Sequence, residues 1–155
     1  MVAVAEDRKL LVAGEWLETG AWLEVASPYD GSLVARVAKA GAAETRRAVG
    51  AAEAAMREPL PAHRRAQILV GVAGALGRRA DEAARLICAE AGKPLKAARV
   101  EVARAMSTYT MAAVEARKLA GEMVPMDGSQ AGEGKLAFTL RVPVGVVGAI
   151  SPFNF

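Results

Sequence analysis

Cysteine and histidine are nearly missing: the 155 residues hold one of each, Cys88 and His63. One cysteine excludes an internal disulfide framework and any paired-cysteine zinc site. One histidine excludes a histidine cluster, so no metal site is expected. Aromatics make up only 5% of the chain and do not interleave with basic residues, which argues against a nucleic-acid surface. Nor is there a block of one charge sign. The net charge is +3 with the signs interspersed. No apolar run approaches the length that spans a bilayer. The segment Met1–Arg8 carries acidic residues and lacks a basic stretch followed by an apolar one, so it does not read as a signal peptide, and the expected location is cytoplasmic. Against these absences stand a hydrophobic content of 53% and abundant alanine, a composition suited to one domain of closely packed helices.

The period of the apolar residues changes twice. Over residues 8–38 short apolar runs alternate with turns. Lys9–Val12 and Trp16–Leu17 around Ala13-Gly14-Glu15 predict a hairpin. Trp22–Val25 and Leu33–Val37 predict two more strands, joined through Ser27-Pro28-Tyr29-Asp30-Gly31, where Pro28 presets φ and Asp30-Gly31 tolerates a positive φ. From residue 42 to about 120 the spacing is helical. A first helix over Ala43–Arg57 carries Ala48, Val49, Ala52 and Ala55 on one face and stops before Pro59. Pro61 opens a second helix with Ala66, Leu69, Val70, Ala73 and Leu76 facing inward. A third begins near Arg78–Asp81, places Ala80, Ala83, Ala84, Ile87, Cys88 and Ala91 together, and ends at Gly92. Pro94 opens a fourth that runs to about Leu119 and closes at Gly121; its stripe is Leu95, Ala98, Val102, Ala105, Met106, Tyr109, Ala113 and Ala116.

After Gly121 the period returns to two. Met123–Pro125 predicts a short strand and 127–134 a loop. Along 135–142, Leu136, Phe138, Leu140 and Val142 share one face. A hairpin over 122–143 is expected to project and to be covered by a partner chain. Val144–Ile150, β-branched, uncharged and punctuated by Gly145 and Gly148, predicts a buried parallel strand, since each glycine would cost a helix about 1 kcal/mol. Residues 144–155 then form a strand and turn. Ligands bind beyond the carboxyl ends of such strands, so Asn154 is offered where chemistry sits. From its position alone, a donor to a developing oxyanion and a turn-holding residue weigh equally. A domain that ended at the mouth of its own site would be unusual, and the expectation is a piece of something longer.

Other candidates have plainer readings. Cys88 shares an apolar helical face with Ile87 and Ala84 and has no His or Lys near in sequence to lower its pKa, so packing is preferred over nucleophile. His63, beside Arg64 and Arg65 in a first helical turn, reads as a solvated surface residue rather than a base. Glu90-Ala91-Gly92-Lys93-Pro94 reads as a tight helix–helix corner in which Glu90 bonds free amides of the next helix; a catalytic acid is the weaker alternative. Gly145–Gly148 fits no phosphate-binding glycine pattern. Trp16 and Trp22 read as packing residues.

Several stretches, in order and spacing, resemble the aldehyde dehydrogenase superfamily, specifically its N-terminal portion. Ala13-Gly14-Glu15-Trp16 is similar to the family's opening hairpin, and Ser27-Pro28-Tyr29-Asp30-Gly31 to its Asn-Pro-x-Thr-Gly turn with two substitutions. Ala48-Val49 with Ala52 is similar to its first helix. Glu90-x-Gly92-Lys93-Pro94 with Glu101-Val102 resembles the Glu-x-Gly-Lys-Pro…Glu-Val segment. Arg141-x-Pro143-x-Gly145-Val146-Val147 and Ile150-Ser151-Pro152-Phe153-Asn154-Phe155 resemble the Pro-x-Gly-Val-Val…Pro-Trp/Phe-Asn-Phe signature. The resemblance implies an α/β fold: the N-terminal part, residues 1–155, of a Rossmann-type NAD(P)-binding domain, mainly helical here, with an oligomerisation hairpin at 122–143 and the first active-site strand and turn at 144–155.

It also implies chemistry. Asn154 would donate its side-chain amide to the oxyanion of the thiohemiacetal and thioester steps. Ile150, Ser151, Pro152 and Phe153 would line the NAD or NADP site near the nicotinamide. The full protein would oxidise an aldehyde to a carboxylate or acyl thioester, as a homo-oligomer. Phe153, where many relatives carry Trp, leans toward small or phosphorylated aldehydes. The family's nucleophilic cysteine and general-base glutamate have no match here: Cys88 and Glu90 sit in other motifs. The 155 residues alone are therefore expected to be inactive. Two rival readings remain from the residues themselves: a non-catalytic assembly module that pairs through its hairpin, and an unrelated helical binding domain with no strand after Gly121.

Overall fold

The computed structural model describes residues 6–151. It is an α/β chain, chiefly helical, with small sheets at either end of a helical layer. The elements run β1 (Glu6–Arg8), β2 (Leu10–Val12), β3 (Glu15–Leu17), β4 (Trp22–Ala26), β5 (Leu33–Ala38), α1 (Ala42–Ala55), α2 (Ala62–Arg78), α3 (Ala80–Ala91), α4 (Leu95–Lys118), β6 (Met123–Val124) and β7 (Ala137–Phe138).

The first hairpin pairs Leu10 with Leu17 and Val12 with Glu15, so its loop is the two residues Ala13-Gly14 and Glu15 belongs to the strand. Both loop residues have positive φ, 54° and 82°, as a two-residue turn matched to strand twist requires. β5 lies between β4, antiparallel, and β1, parallel. Composition gave no hint of β1, whose sequence is polar. It is fixed by register: Asp7 lies opposite Arg36, and the two side chains form a two-pronged ion pair at 2.8 Å for each contact. Arg36 also lies 5.7 Å from the Trp22 ring centre, so Trp22 acts as a cation-facing plate. Trp16, expected to pack, is exposed.

The turn between β4 and β5 follows its sequence. Gly31 has φ 71°, and the Asp30 carboxylate accepts from the Ser32 amide and hydroxyl at 3.0 and 2.7 Å. Those two bonds hold the Asp30 carboxyl below its ordinary pKa.

The core sits between α2, α3 and α4 and is made of small residues. Ala66 of α2 packs with Ala113 and Ala116 of α4, and Ala84 of α3 with Ala98 and Val102 of α4. Leu69, Leu76, Ile87, Leu95 and Met106 close around them. Alanine at the contacts lets helix axes approach closely. Several face assignments need correction: Ala48, Val49 and Ala55 of α1 and Tyr109 of α4 are exposed, and two more lie on α2 and α3. Val70 is 52% exposed, because the stripe of α2 passes through Leu69 and Ala73 instead. Ala91 is exposed at the last turn of α3. α1 contains no fully buried residue; its Glu44 carboxylate accepts from the Gly41 amide at 2.7 Å and caps the helix start.

After α4 the order thins out. β6 and β7 pair through Met123–Phe138 and Val124–Ala137 alone. Gly121 is required there: a Cβ on it would fall 1.6 Å from the Thr139 carbonyl oxygen. The buried strand expected at 144–150 is not formed. That stretch has no assigned strand, and Val144, Val147 and Ile150 are largely exposed. A strand is a property of a pair, and among the described residues nothing lies alongside 144–150 to hydrogen-bond with it. No helix among the described residues is long and apolar enough to cross a membrane.

Candidate functional site

Two places collect the residues that sequence reasoning singled out. The first is the C-terminal stretch. Ile150, fully exposed, and Ser151, also exposed, are neighbours on an uncovered segment. Pro152, Phe153 and Asn154 lie outside the described residues. Ile150 and Ser151 offer an apolar surface and one hydroxyl, but not a dinucleotide cradle. The four α-helices begin after Gly41, Pro61, Arg79 and Pro94, none of them in a glycine-rich loop that would present amides to a pyrophosphate. The described residues therefore do not fit a whole dinucleotide.

The second place is the corner between α3 and α4. Gly92 ends α3 with φ 63°, and Pro94 precedes the first turn of α4. A Cβ on Gly92 would come within 3.0 Å of Pro28 Cγ, so the β4–β5 turn seats itself on this glycine. Two stretches more than sixty residues apart in sequence thus meet. Between them Lys93 donates to Glu101, two turns along α4, with the side chains only 14% and 28% exposed. Screening from water makes this pair stronger than the surface pairs around it. Glu90, expected to bond the next helix, is exposed and makes no side-chain hydrogen bond among the described residues. The Lys93–Glu101 link is the feature that sequence reasoning missed. Its signal was available as an opposite-charge pair eight residues apart across a Gly-Lys-Pro helix restart.

Cys88 is half-buried against the Ala84, Ala98 and Val102 cluster, as the packing reading expects. His63 is exposed. Asp81, in the first turn of α3, accepts from Arg85 at 2.8 Å and from Arg99 of α4 at 2.9 Å, tying the two helices together. The Arg99 bond, and then the Arg85 bond, hold its carboxyl below the ordinary value of 3.8. No group of metal-ligating side chains is present among the described residues.

A cleft of about 460 Å³ runs along the start of α4, bordered by Lys93, Lys96, Val100, Glu101 and Arg104. A second of similar size lies where the β4–β5 turn meets α3, beside Tyr29, Arg85, Cys88 and Lys93.

The aldehyde dehydrogenase family signature matches residues 16–155. The 3-sulfolactaldehyde dehydrogenase of Priestia aryabhattai is 37% identical over 145 residues, which are 94% of this chain and 30% of that protein. The lactaldehyde dehydrogenase of Methanocaldococcus jannaschii is 33% identical over 148 residues, 94% of this chain and 30% of that protein. Among solved structures, aldehyde dehydrogenase 21 of Physcomitrella patens, in complex with its product succinate, superposes with a TM-score of 0.78 at 30% identity, covering 85% of this chain and 28% of that one. The chain thus spans about 30% of the length of the curated relatives it matches.

Proposed function

The chain belongs to the aldehyde dehydrogenase family, and from that premise we propose that it supplies the oxyanion-binding portion of an NAD- or NADP-dependent enzyme that oxidises an aldehyde to a carboxylate. The observation that carries this reading is the family match across residues 16–155, which includes the Pro-Phe-Asn-Phe stretch. In it Asn154 donates its side-chain amide to the oxygen that becomes negative when a cysteine thiolate attacks the aldehyde carbonyl. Ile150, Ser151, Pro152 and Phe153 border the nicotinamide end of the dinucleotide, which when bound supplies the hydride acceptor. The nucleophile and the base come from outside these residues: Cys88 packs against the helical core and Glu90 lies on an exposed helix end. The 155 residues by themselves are accordingly inactive.

The apolar face of the second hairpin, Leu136, Phe138, Leu140 and Val142, is exposed throughout. That exposure favours a homo-oligomer in which residues 122–143 contact a second copy. It also supports the second reading, a stand-alone assembly module with no catalysis.

The test is aldehyde-dependent reduction of NAD or NADP by the protein at its natural length, followed at the reduced nicotinamide absorbance. Turnover is expected, and Asn154→Ala is expected to lower kcat by about 10²–10³ with little change in KM. A natural-length protein that forms discrete oligomers but reduces neither dinucleotide with any aldehyde overturns the enzyme reading in favour of the assembly module.

The two curated relatives named above act on aldehydes that differ by one group, since 3-sulfolactaldehyde is lactaldehyde bearing a sulfonate.

A further inference from the structure

We propose that the β4–β5 turn is a rigid strap that rests on the α3–α4 corner and lifts from it as a unit, controlling access to the cleft beside it. The turn is stiff within itself. The Ser27 amide donates to the Ser32 carbonyl at 2.8 Å, and the Gly31 amide to the Ser27 carbonyl at 2.9 Å. The Tyr29 amide donates to Ser27 Oγ at 3.3 Å. The Ser32 amide and hydroxyl both donate to Asp30. With Pro28 fixing one φ as well, these bonds leave little freedom inside the turn.

Its hold on the helices is of another kind. Those bonds close on the turn itself, and what meets the end of α3 is the Pro28 ring, lying close over Gly92. Tyr29, at the tip, is 91% exposed and adds little buried contact. The seat of one ring on a glycine is a van der Waals contact, so it parts without any polar group losing its partner. The ladder behind the turn also has a place to bend. The register of β4 against β5 shifts between Val25 and Ala26, just before the turn. Ser27 and Tyr29 form one wall of the cleft of about 460 Å³ described above, and Arg85, Cys88 and Leu95 stand on the helical wall. A rotation at the bulge moves the first wall and leaves the second in place. The device is the turn. Cys88, half-buried on the helical side, is where its movement is read.

The experiment labels Cys88 of the natural-length protein with iodoacetamide and reads the rate on the Cys88 peptide by mass spectrometry. Amide exchange of Ser27, Gly31 and Ser32 is followed alongside. Neither readout is turnover, so the outcome does not depend on the dehydrogenase reading. Gly92→Ala puts a Cβ within 3.0 Å of the Pro28 ring. Pro28→Ala removes the ring from the other side and leaves α3 untouched. Both are expected to speed labelling by about tenfold, the scale of one lost apolar contact. Exchange of the three turn amides is expected to stay at the wild-type rate, because a unit that lifts keeps its internal bonds. Labelling unchanged in Pro28→Ala overturns the proposal, since the seat then does not govern access. Labelling that speeds up together with exchange of the turn amides overturns it too, since the turn then unfolds rather than lifts. If Gly92→Ala loosens the end of α3, seen as faster exchange there, Pro28→Ala decides alone.

Discussion

The helical layer and the segment after it contain residues of similar hydrophobicity in opposite conditions. In α2, α3 and α4 the innermost contacts are alanines with no exposure at all, Ala66, Ala84 and Ala98. In 136–150 the larger residues Leu136, Leu140, Val144 and Ile150 are all more than 70% exposed. Burial here follows the availability of a second surface within the chain, not the side chain's own hydrophobicity. The helices find each other through short corners at Arg79 and Gly92. The segment beyond Gly121 has the two rungs between β6 and β7 and the adjoining Glu122–Thr139 hydrogen bonds, but no helix packed on its apolar face among the described residues. Among the described residues no second surface covers this apolar stretch.

The contrast is broken most directly by changing volume on each side. Ala98→Leu adds three heavy atoms at a position with no free surface, and is expected to destabilise the fold by about 1–3 kcal/mol. Leu140→Lys, at 72% exposure, is expected to cost within about 0.5 kcal/mol, while reducing self-association seen by sedimentation. Urea unfolding measures both. Equal losses would mean that the segment packs far more tightly than its exposure indicates.

The helices were legible because their punctuation is chemical: Pro59 and Pro61, Gly92 and Pro94 mark ends that sterics enforce, and the alanine spacing names the inner face. Details that depend on relative rotation were not, which is why Val70 was misplaced by one position. The β4–β5 turn was legible through Pro28, Asp30 and Gly31. The strand expected at 144–150 was read from local preference, which β-branched residues supply, whereas a strand needs a neighbour that these residues do not provide. β1 was invisible for the converse reason. Its residues have no strand preference, and the Asp7–Arg36 pair that fixes it spans 29 positions. At the candidate site the motif stretches were visible as motifs, but their meeting was not: Pro28 over Gly92 and the Lys93–Glu101 link are three-dimensional facts.

A smaller effect sharpens the same comparison at one of the two tight points of the second region, Gly121 and Gly132. Gly121→Ala forces a Cβ against the Thr139 carbonyl. It also strains the place where the Thr139 amide donates to the Glu122 carbonyl at 2.8 Å and the Glu122 amide to Thr139 Oγ1 at 2.9 Å. Amide exchange at Thr139 is expected to speed up by at least tenfold while exchange in α2 and α4 stays unchanged. Loss of protection in the helices as well would show the two regions to be one cooperative unit.

The smallest effect concerns the ionic tie inside the helical layer. Asp81 joins Arg85 on its own helix to Arg99 on α4, and both bonds favour the ionised carboxylate. Its folded-state pKa is therefore depressed below 3.8. A depressed acid contributes stability that is fully present above the unfolded value and lost as pH falls through the folded one. At neutral pH the tie is intact; it fades as the pH drops below about 4, the ordinary carboxylate range. Because the groups are exposed and screened by salt, the contribution is modest. Asp81→Asn removes the titration, so thermal midpoints of the variant and the wild type should differ at pH 7 and low ionic strength, and converge as the pH approaches 3. The second region contains no comparable tie among its described residues, so Glu133→Gln in the 127–134 loop should leave the pH dependence as it was. A wild type and an Asp81→Asn variant whose midpoints run parallel across that range would show that α3 and α4 are held by alanine packing alone.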